Sequence, residues 1–285
     1  MLKKILFLLI VALTGQMPLN SQSNDASLGQ LEQSYFNDLY NFQFTSANHK
    51  LKAKLPNNIY YLWRMYYQWW MLISTNDKSY FTQCFANIVL YEGSRVPHDS
   101  LKIFFEAFKL RLLLLNHQYL KAYQQVNRLI DTLKVFTPPH LTRDNLKLMA
   151  GIMHYLGAKA YIKYPLLFHS KSFRQFSDTL GLSLLKQCTK SSSVFVRTEG
   201  LYFLTKIYLE MEEDYTQAYI YSSQLISLFP NNIIFGFHHL KILQRLNRTH
   251  EAEGCKATLL VQISKNKELV DIQKKYLQQM LNSKI

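Results

Sequence analysis

Glycine, proline, cysteine and acidic side chains are all scarce in this 285-residue chain, which holds nine Gly, seven Pro, three Cys and 19 Asp plus Glu. So few turn formers cannot punctuate the many tight turns of a β-sandwich or barrel. The cysteines Cys84, Cys188 and Cys255 stand far apart, with no C-x-x-C pair and no clustered histidines, so no metal site is readable and no cofactor is implied. An oxidising compartment would permit one disulfide. The odd count, and the helical spacing of Cys188 with Leu184 and Leu185, instead favour small buried apolar residues. Beyond the N-terminus no run is both apolar and long enough to span a bilayer. What is abundant is hydrophobic surface, 48% of residues against 18% charged, which excludes disorder and a coiled-coil rod. The net charge of +14 predicts attraction to anionic partners without choosing among nucleic acid, a membrane surface and an acidic protein.

At the N-terminus Lys3 and Lys4 precede the apolar run Ile5 to Leu13, and polar residues follow from Thr14 to Asp25. This is the layout of a secretory signal peptide, taken here as residues 1–22. Leu13-Thr14-Gly15 resembles the start of a bacterial lipobox, but Gln16 stands where the lipidated cysteine would be, so a lipoprotein is not expected. The mature part, 23–285, reads as a single exported domain, periplasmic, outer-membrane associated or secreted. The only internal sub-boundary is near 137–141, at Pro138-Pro139.

Apolar residues then recur with the 3.6 period along the whole chain. Leu28, Leu31, Tyr35 and Leu39 predict a first helix, and a second runs from Thr45 until it stops near Pro56. From Asn58 to Ser74 aromatic and apolar residues occupy every side of a helix, interrupted only by Arg64 and Gln68, so this helix must have neighbours on several sides. Further helices are predicted from about Tyr80 to Gly93, Asp99 to Leu115, Tyr119 to Val135, Thr142 to Tyr164, and Asp178 to Lys190. They continue over Thr198 to Glu210, Tyr215 to Phe229, Ile233 to Leu246, Thr249 to Ser264 and a final capping stretch, Leu269 to Leu281. Nothing alternates as a strand.

Phe44-x-x-Ala47, Tyr119-x-x-Ala122, Tyr215-x-x-Ala218 and Thr249-x-x-Ala252 each open the second helix of a hairpin, where a small residue lets two backbones approach. Ala218 and Ala252 are 34 residues apart, Tyr208 precedes the first, and Pro230-Asn231-Asn232 closes its helix. This pattern resembles the tetratricopeptide repeat, best over Leu201 to Ala252 and next over Leu110 to Ile130. Leu110 and Leu240 stand where that family usually has a small residue. Gly151, Tyr155, Tyr164-Pro165, Phe173 and Asp178-x-x-Gly181-Leu182 are similar to a segment of divergent tetratricopeptide-like proteins of bacterial envelopes and, more weakly, to the eukaryotic inclusion-body clearance family. The resemblance implies an all-α fold, a right-handed α-solenoid of helical hairpins with a C-terminal capping helix, and no enzymatic activity.

The motifs that would announce chemistry are absent: G-x-S-x-G, the phosphate-binding and dinucleotide-binding glycine loops, and H-E-x-x-H. His238 and His239 are adjacent, about 100° apart on a helix, and cannot chelate one ion as an i, i+4 pair would. Two sets of residues remain as binding candidates. The first is the face Tyr60, Arg64, Tyr67 and Met71, where aromatics flank a cation. The second is a cationic stripe aligned on the opening alanines. Arg111 stands eleven residues before Ala122, Lys241 eleven before Ala252, Lys206 twelve before Ala218, and Arg245 one helical turn after Lys241. In the family this register faces the concave groove, so the resemblance implies that these cations hold an acidic or C-terminal carboxylate segment of a partner protein. The expected function is a non-catalytic interaction scaffold, with an anionic lipid or glycan binder as the alternative. Nucleic acid ranks last because the chain is read as exported.

Overall fold

The predicted helices recur with shifted bounds in the computed structural model, which describes residues 26–93, 102–133, 144–163 and 174–282; the second, expected to run to near Pro56, ends at Lys50. Thirteen helices and no strand occur among the described residues. In chain order they are α1 Ala26–Tyr40, α2 Phe44–Lys50, α3 Asn57–Thr75, α4 Lys78–Gly93, α5 Lys102–Leu115, α6 Tyr119–Leu133 and α7 Asp144–Lys163. There follow α8 Asp178–Cys188, α9 Val194–Glu210, α10 Tyr215–Leu228, α11 Ile233–Arg245, α12 Thr249–Lys265 and α13 Asp271–Asn282. The predicted signal segment 1–22, Asp99, the predicted sub-boundary near 137–141, Tyr164-Pro165 and Phe173 lie outside the described residues.

The helix starts have local causes. Ser177, Ser193, Asp214 and Asn232 each accept a bond from the backbone N–H three residues on, at 3.0–3.3 Å, satisfying a donor that the first turn leaves open. Ser193 is why α9 begins four residues before the predicted Thr198. Several turns use a left-handed residue: Phe42, Asn76, His117, Glu213 and Asn247 have φ between 54° and 60°. For a bulky side chain such as Phe42 that conformation is strained. Its fully buried ring, 5.0 Å from Phe44 and 5.9 Å from Trp70, offsets the cost.

Among the described residues the chain divides into two compact units, one within 96–212, the other within 22–95 and 213–285. In the first, α5 pairs with α6, α7 packs most extensively on α8, and α9 lies against both α7 and α8. Glycines set the α7–α8 distance: a Cβ on Gly151 would stand 3.1 Å from the Gly181 carbonyl oxygen. Lys159 lies 3.3 Å from Asp178 and 2.9 Å from Glu212, and the Tyr155 hydroxyl donates to Glu212.

The second unit joins two distant stretches of chain. Consecutive helices α1 to α4 pack in order, α10 to α13 pack in order, and α13 lies against α3. Tyr40 sits 5.6 Å from Trp70, 5.3 Å from Phe229 and 6.1 Å from Phe235. Asn232 donates to the Tyr40 carbonyl at 2.7 Å, and Gln273 to Ser74 Oγ at 3.2 Å. Each large aromatic buried here contributes about 1.5–3 kcal/mol, with about 0.5–1.5 kcal/mol more for a well-oriented ring pair. The opening alanines Ala47, Ala122, Ala218 and Ala252 are all buried, as are Leu110 and Leu240.

Candidate functional site

Helix α3 has one face that the core leaves partly open. Trp63, Tyr66, Trp69 and Trp70 are buried, with Tyr35 stacked on Trp63 at 4.6 Å and its hydroxyl bonded to the Trp63 carbonyl at 2.6 Å. Tyr60, Arg64 and Tyr67, spaced i, i+4, i+7 and so on one face, remain half-buried. All three line one cavity of about 280 Å³ where α2, α3 and α4 meet, together with Asn48, Leu51, Lys52, Gln68 and Gln83. Met71, the fourth residue of the predicted face, is instead buried, with its sulfur 3.4 Å from Gln273 of α13.

The cavity walls are held by their own contacts. Arg64 Nη1 donates to the Tyr60 hydroxyl at 3.0 Å, and its guanidinium carbon lies 5.8 Å from that ring's centre. Tyr67 meets Phe44 edge to face at 6.2 Å. Burial raises the Tyr67 pKa first, then the nearby Tyr80 and Glu268, so its hydroxyl stays protonated at neutral pH. Behind the wall runs a chain of amides: Asn87 donates to Gln68 Oε1, and Gln68 Nε2 donates to Gln83 Oε1 at 3.1 Å. Asn87 and Gln68 are buried, and a buried amide costs free energy unless bonded.

The cationic stripe is spread over both units. Arg111 and Lys206, in the first, are each only 2% exposed. The Lys206 ammonium pairs with Glu210 of the same helix, and the Arg111 guanidinium lies 5.9 Å from the ring centre of Phe108. Lys241 and Arg245, in the second unit, are half-buried and exposed. Burial therefore separates the two pairs in character. One pair holds its charge among side chains, the other presents it to solvent.

His239, Cys84 and Cys188 are buried, whereas His49, His117 and His250 are exposed and Cys255 is half-buried. His239 Nδ1 lies 2.9 Å from Ser222 Oγ, and both residues are buried. The Ser222 hydroxyl also donates to the Tyr219 carbonyl at 3.1 Å, so its proton is committed and His239 supplies the other bond. Burial, then the charge of Arg248, pushes His239 down to about 4. All three cysteines are free, Cys84 and Cys188 buried. Among the described residues no group of three or more His, Cys, Asp or Glu could hold a metal, and no helix is long and apolar enough to cross a membrane.

Sequence reasoning found Tyr60, Arg64 and Tyr67 but missed Asn48, Lys52, Gln83 and Asn87. The available signal was Gln68, a polar residue interrupting an aromatic helix, which needs a buried partner somewhere. Comparison with protein-family models, curated proteins and solved structures finds no match, so the tetratricopeptide likeness rests on the residues alone.

Proposed function

We propose that the chain is an exported, non-catalytic interaction scaffold of the bacterial periplasm or outer membrane that binds an acidic segment of a partner protein. Its helical hairpins would stack in the right-handed sense of tetratricopeptide arrays. The observation that carries this reading is the meeting of Tyr60, Arg64 and Tyr67 at one cavity whose described lining residues include two cations, Arg64 and Lys52, and no carboxylate. At about 280 Å³ it is smaller than the roughly 300–1,000 Å³ of sites for drug-sized ligands, and it suits one side chain of a partner. Lys241 and Arg245 would add attraction at long range.

The test is photo-crosslinking from residue 60 in the native envelope, followed by mass spectrometry of the captured chains. One recurrent partner, crosslinked through an acidic segment, supports the reading. Substrate turnover by the purified mature chain that is lost on a single polar substitution, with the fold retained, would sink it.

The second reading is an anionic lipid or glycan binder. It draws on the same cavity, where Tyr60 and Tyr67 stand with the side-chain amides of Asn48 and Gln83. Salt-sensitive cosedimentation with anionic liposomes or lipopolysaccharide would favour it over the scaffold.

A further inference from the structure

Resting on the proposed interaction function, we infer that the cavity between α2, α3 and α4 is a receptor for a single carboxylate, with the amide chain Asn87–Gln68–Gln83 fixing its preference for an anion.

The argument is one of donors and acceptors. In the chain of amides each oxygen already accepts one bond: Gln68 Oε1 from Asn87, and Gln83 Oε1 from Gln68. An amide has two donor hydrogens and one carbonyl, so a chain polarised in this direction ends on an N–H group, here Gln83 Nε2 at the cavity wall. The guanidinium of Arg64 and the ammonium of Lys52 are donors only, and Arg64 spends one of its five N–H groups on Tyr60. The neutral Tyr67 hydroxyl can donate as well. The nearest acid to Tyr67 in charge terms is Glu268, whose Oε2 accepts from the Thr45 amide at 2.8 Å and which does not line the cavity. Asp38, the acid beside α2, is paired with Lys50. Against the carbonyls of Asn48 and the amide chain stand two cations, the Gln83 amide donors and, among the described lining residues, no carboxylate, a balance of charge that favours an anion over a cation or an amine. A carboxylate offers two oxygens to the Arg64 fork and to Gln83, and such charge-assisted bonds are stronger than neutral ones. Aromatic rings of Tyr60 and Tyr67 would pack on the methylene groups that carry it.

Two sources supply that chemistry, an Asp or Glu side chain and the terminal carboxylate of a chain. Isothermal titration of the full chain with three peptides separates them: acetyl-(Glu)4-amide, acetyl-(Gln)4-amide, and acetyl-(Gly)4 with a free C-terminus. Gln83→Glu is the informative variant. Its carboxylate still accepts from Gln68, it sits at an exposed position, and it replaces the terminal donor by a negative charge. Gln224→Glu, exposed on α10, makes the same change of net charge elsewhere.

The expected result is binding of the Glu peptide or the free-terminus peptide at least tenfold tighter than the Gln peptide. Gln83→Glu should weaken it by at least tenfold, Gln224→Glu should leave it unchanged, and both variants should keep the parent melting temperature. Whichever charged peptide binds names the source. Equal affinity for the Gln peptide, no binding of any peptide, or an affinity unmoved by Gln83→Glu overturns the carboxylate receptor. In that last case, if the native crosslink from residue 60 still captures one partner through an acidic segment, the scaffold reading survives and the carboxylate is held elsewhere.

Discussion

Gly181 of α8 lies against Tyr155 of α7 with no room for a side chain. A Cβ there would fall on the Tyr155 backbone nitrogen and stand 2.7 Å from the Gly151 carbonyl oxygen and from the Tyr155 Cβ. Both neighbours are backbone or backbone-attached, so the helices themselves would have to part. Gly181→Ala should therefore destabilise by about 1–3 kcal/mol, despite alanine's better helix propensity. Gly254→Ala, on the exposed side of α12 where nothing lies within 4 Å, should be neutral or stabilise by up to about 1 kcal/mol. Urea unfolding followed by circular dichroism compares the two. A Gly181→Ala protein as stable as the parent would show that the close crossing is wrong.

Lys206 and Lys241 hold corresponding places in the predicted stripe, yet their reversals should behave oppositely. Lys206→Glu buries a second carboxylate beside Glu210 and removes the ammonium that pairs with it, a loss of about 3–5 kcal/mol. The double reversal Lys241→Glu, Arg245→Glu changes half-buried and exposed positions and should move stability by less than about 1 kcal/mol. Thermal melts of the two variants decide this directly.

Asn232 does two jobs with one side chain, capping α11 through Oδ1 and holding the Tyr40 carbonyl through Nδ2. Asn232→Ala should cost about 2–3 kcal/mol, from the lost cap and a buried carbonyl left unsatisfied. Asn232→Ser keeps a neutral acceptor at the cap and loses only the second bond, so it should fall between parent and alanine in equilibrium unfolding.

Acid should weaken the unit that holds His239. Its folded pKa of about 4 lies below the ordinary histidine value near 6.5, so between those values the unfolded chain holds more protons than the folded one. Stability present above pH 6.5 is lost as pH falls towards 4, by no more than about 3 kcal/mol. Glu32 runs the other way in an overlapping window: burial raises it to about 7, so its contribution is largest below pH 4.5 and fades as pH rises through 7. His239→Gln should remove the acid-side loss and leave the Glu32 slope. An unchanged pH profile in that variant would refute the assignment.

Much of the helical fold was legible because its causes are local. The 3.6 period acts within a few residues of where it stands, and so do the caps the structure shows at Ser177, Asp214 and Asn232, although the second helix, expected to run on to near Pro56, ends already at Lys50. The face Tyr60, Arg64, Tyr67 was readable for the same reason, as helical spacing alone puts the three together. Met71 has the spacing of that face too, but α13 arrives from two hundred residues away and Gln273 covers it.

What only the tertiary structure decided is which side of each helix meets solvent. Arg111, Lys206, Lys241 and Arg245 look alike along the chain, as cations on amphipathic helices. The side chains around the first two exclude water, whereas Arg245 is left exposed. Likewise Gln68 announced a need for a partner without naming it, and α4 supplied Gln83 and Asn87. Periodicity encodes the direction in which a side chain leaves its own helix. Burial is a property of the neighbours that fill the space it enters, and those neighbours are chosen by packing across the whole chain.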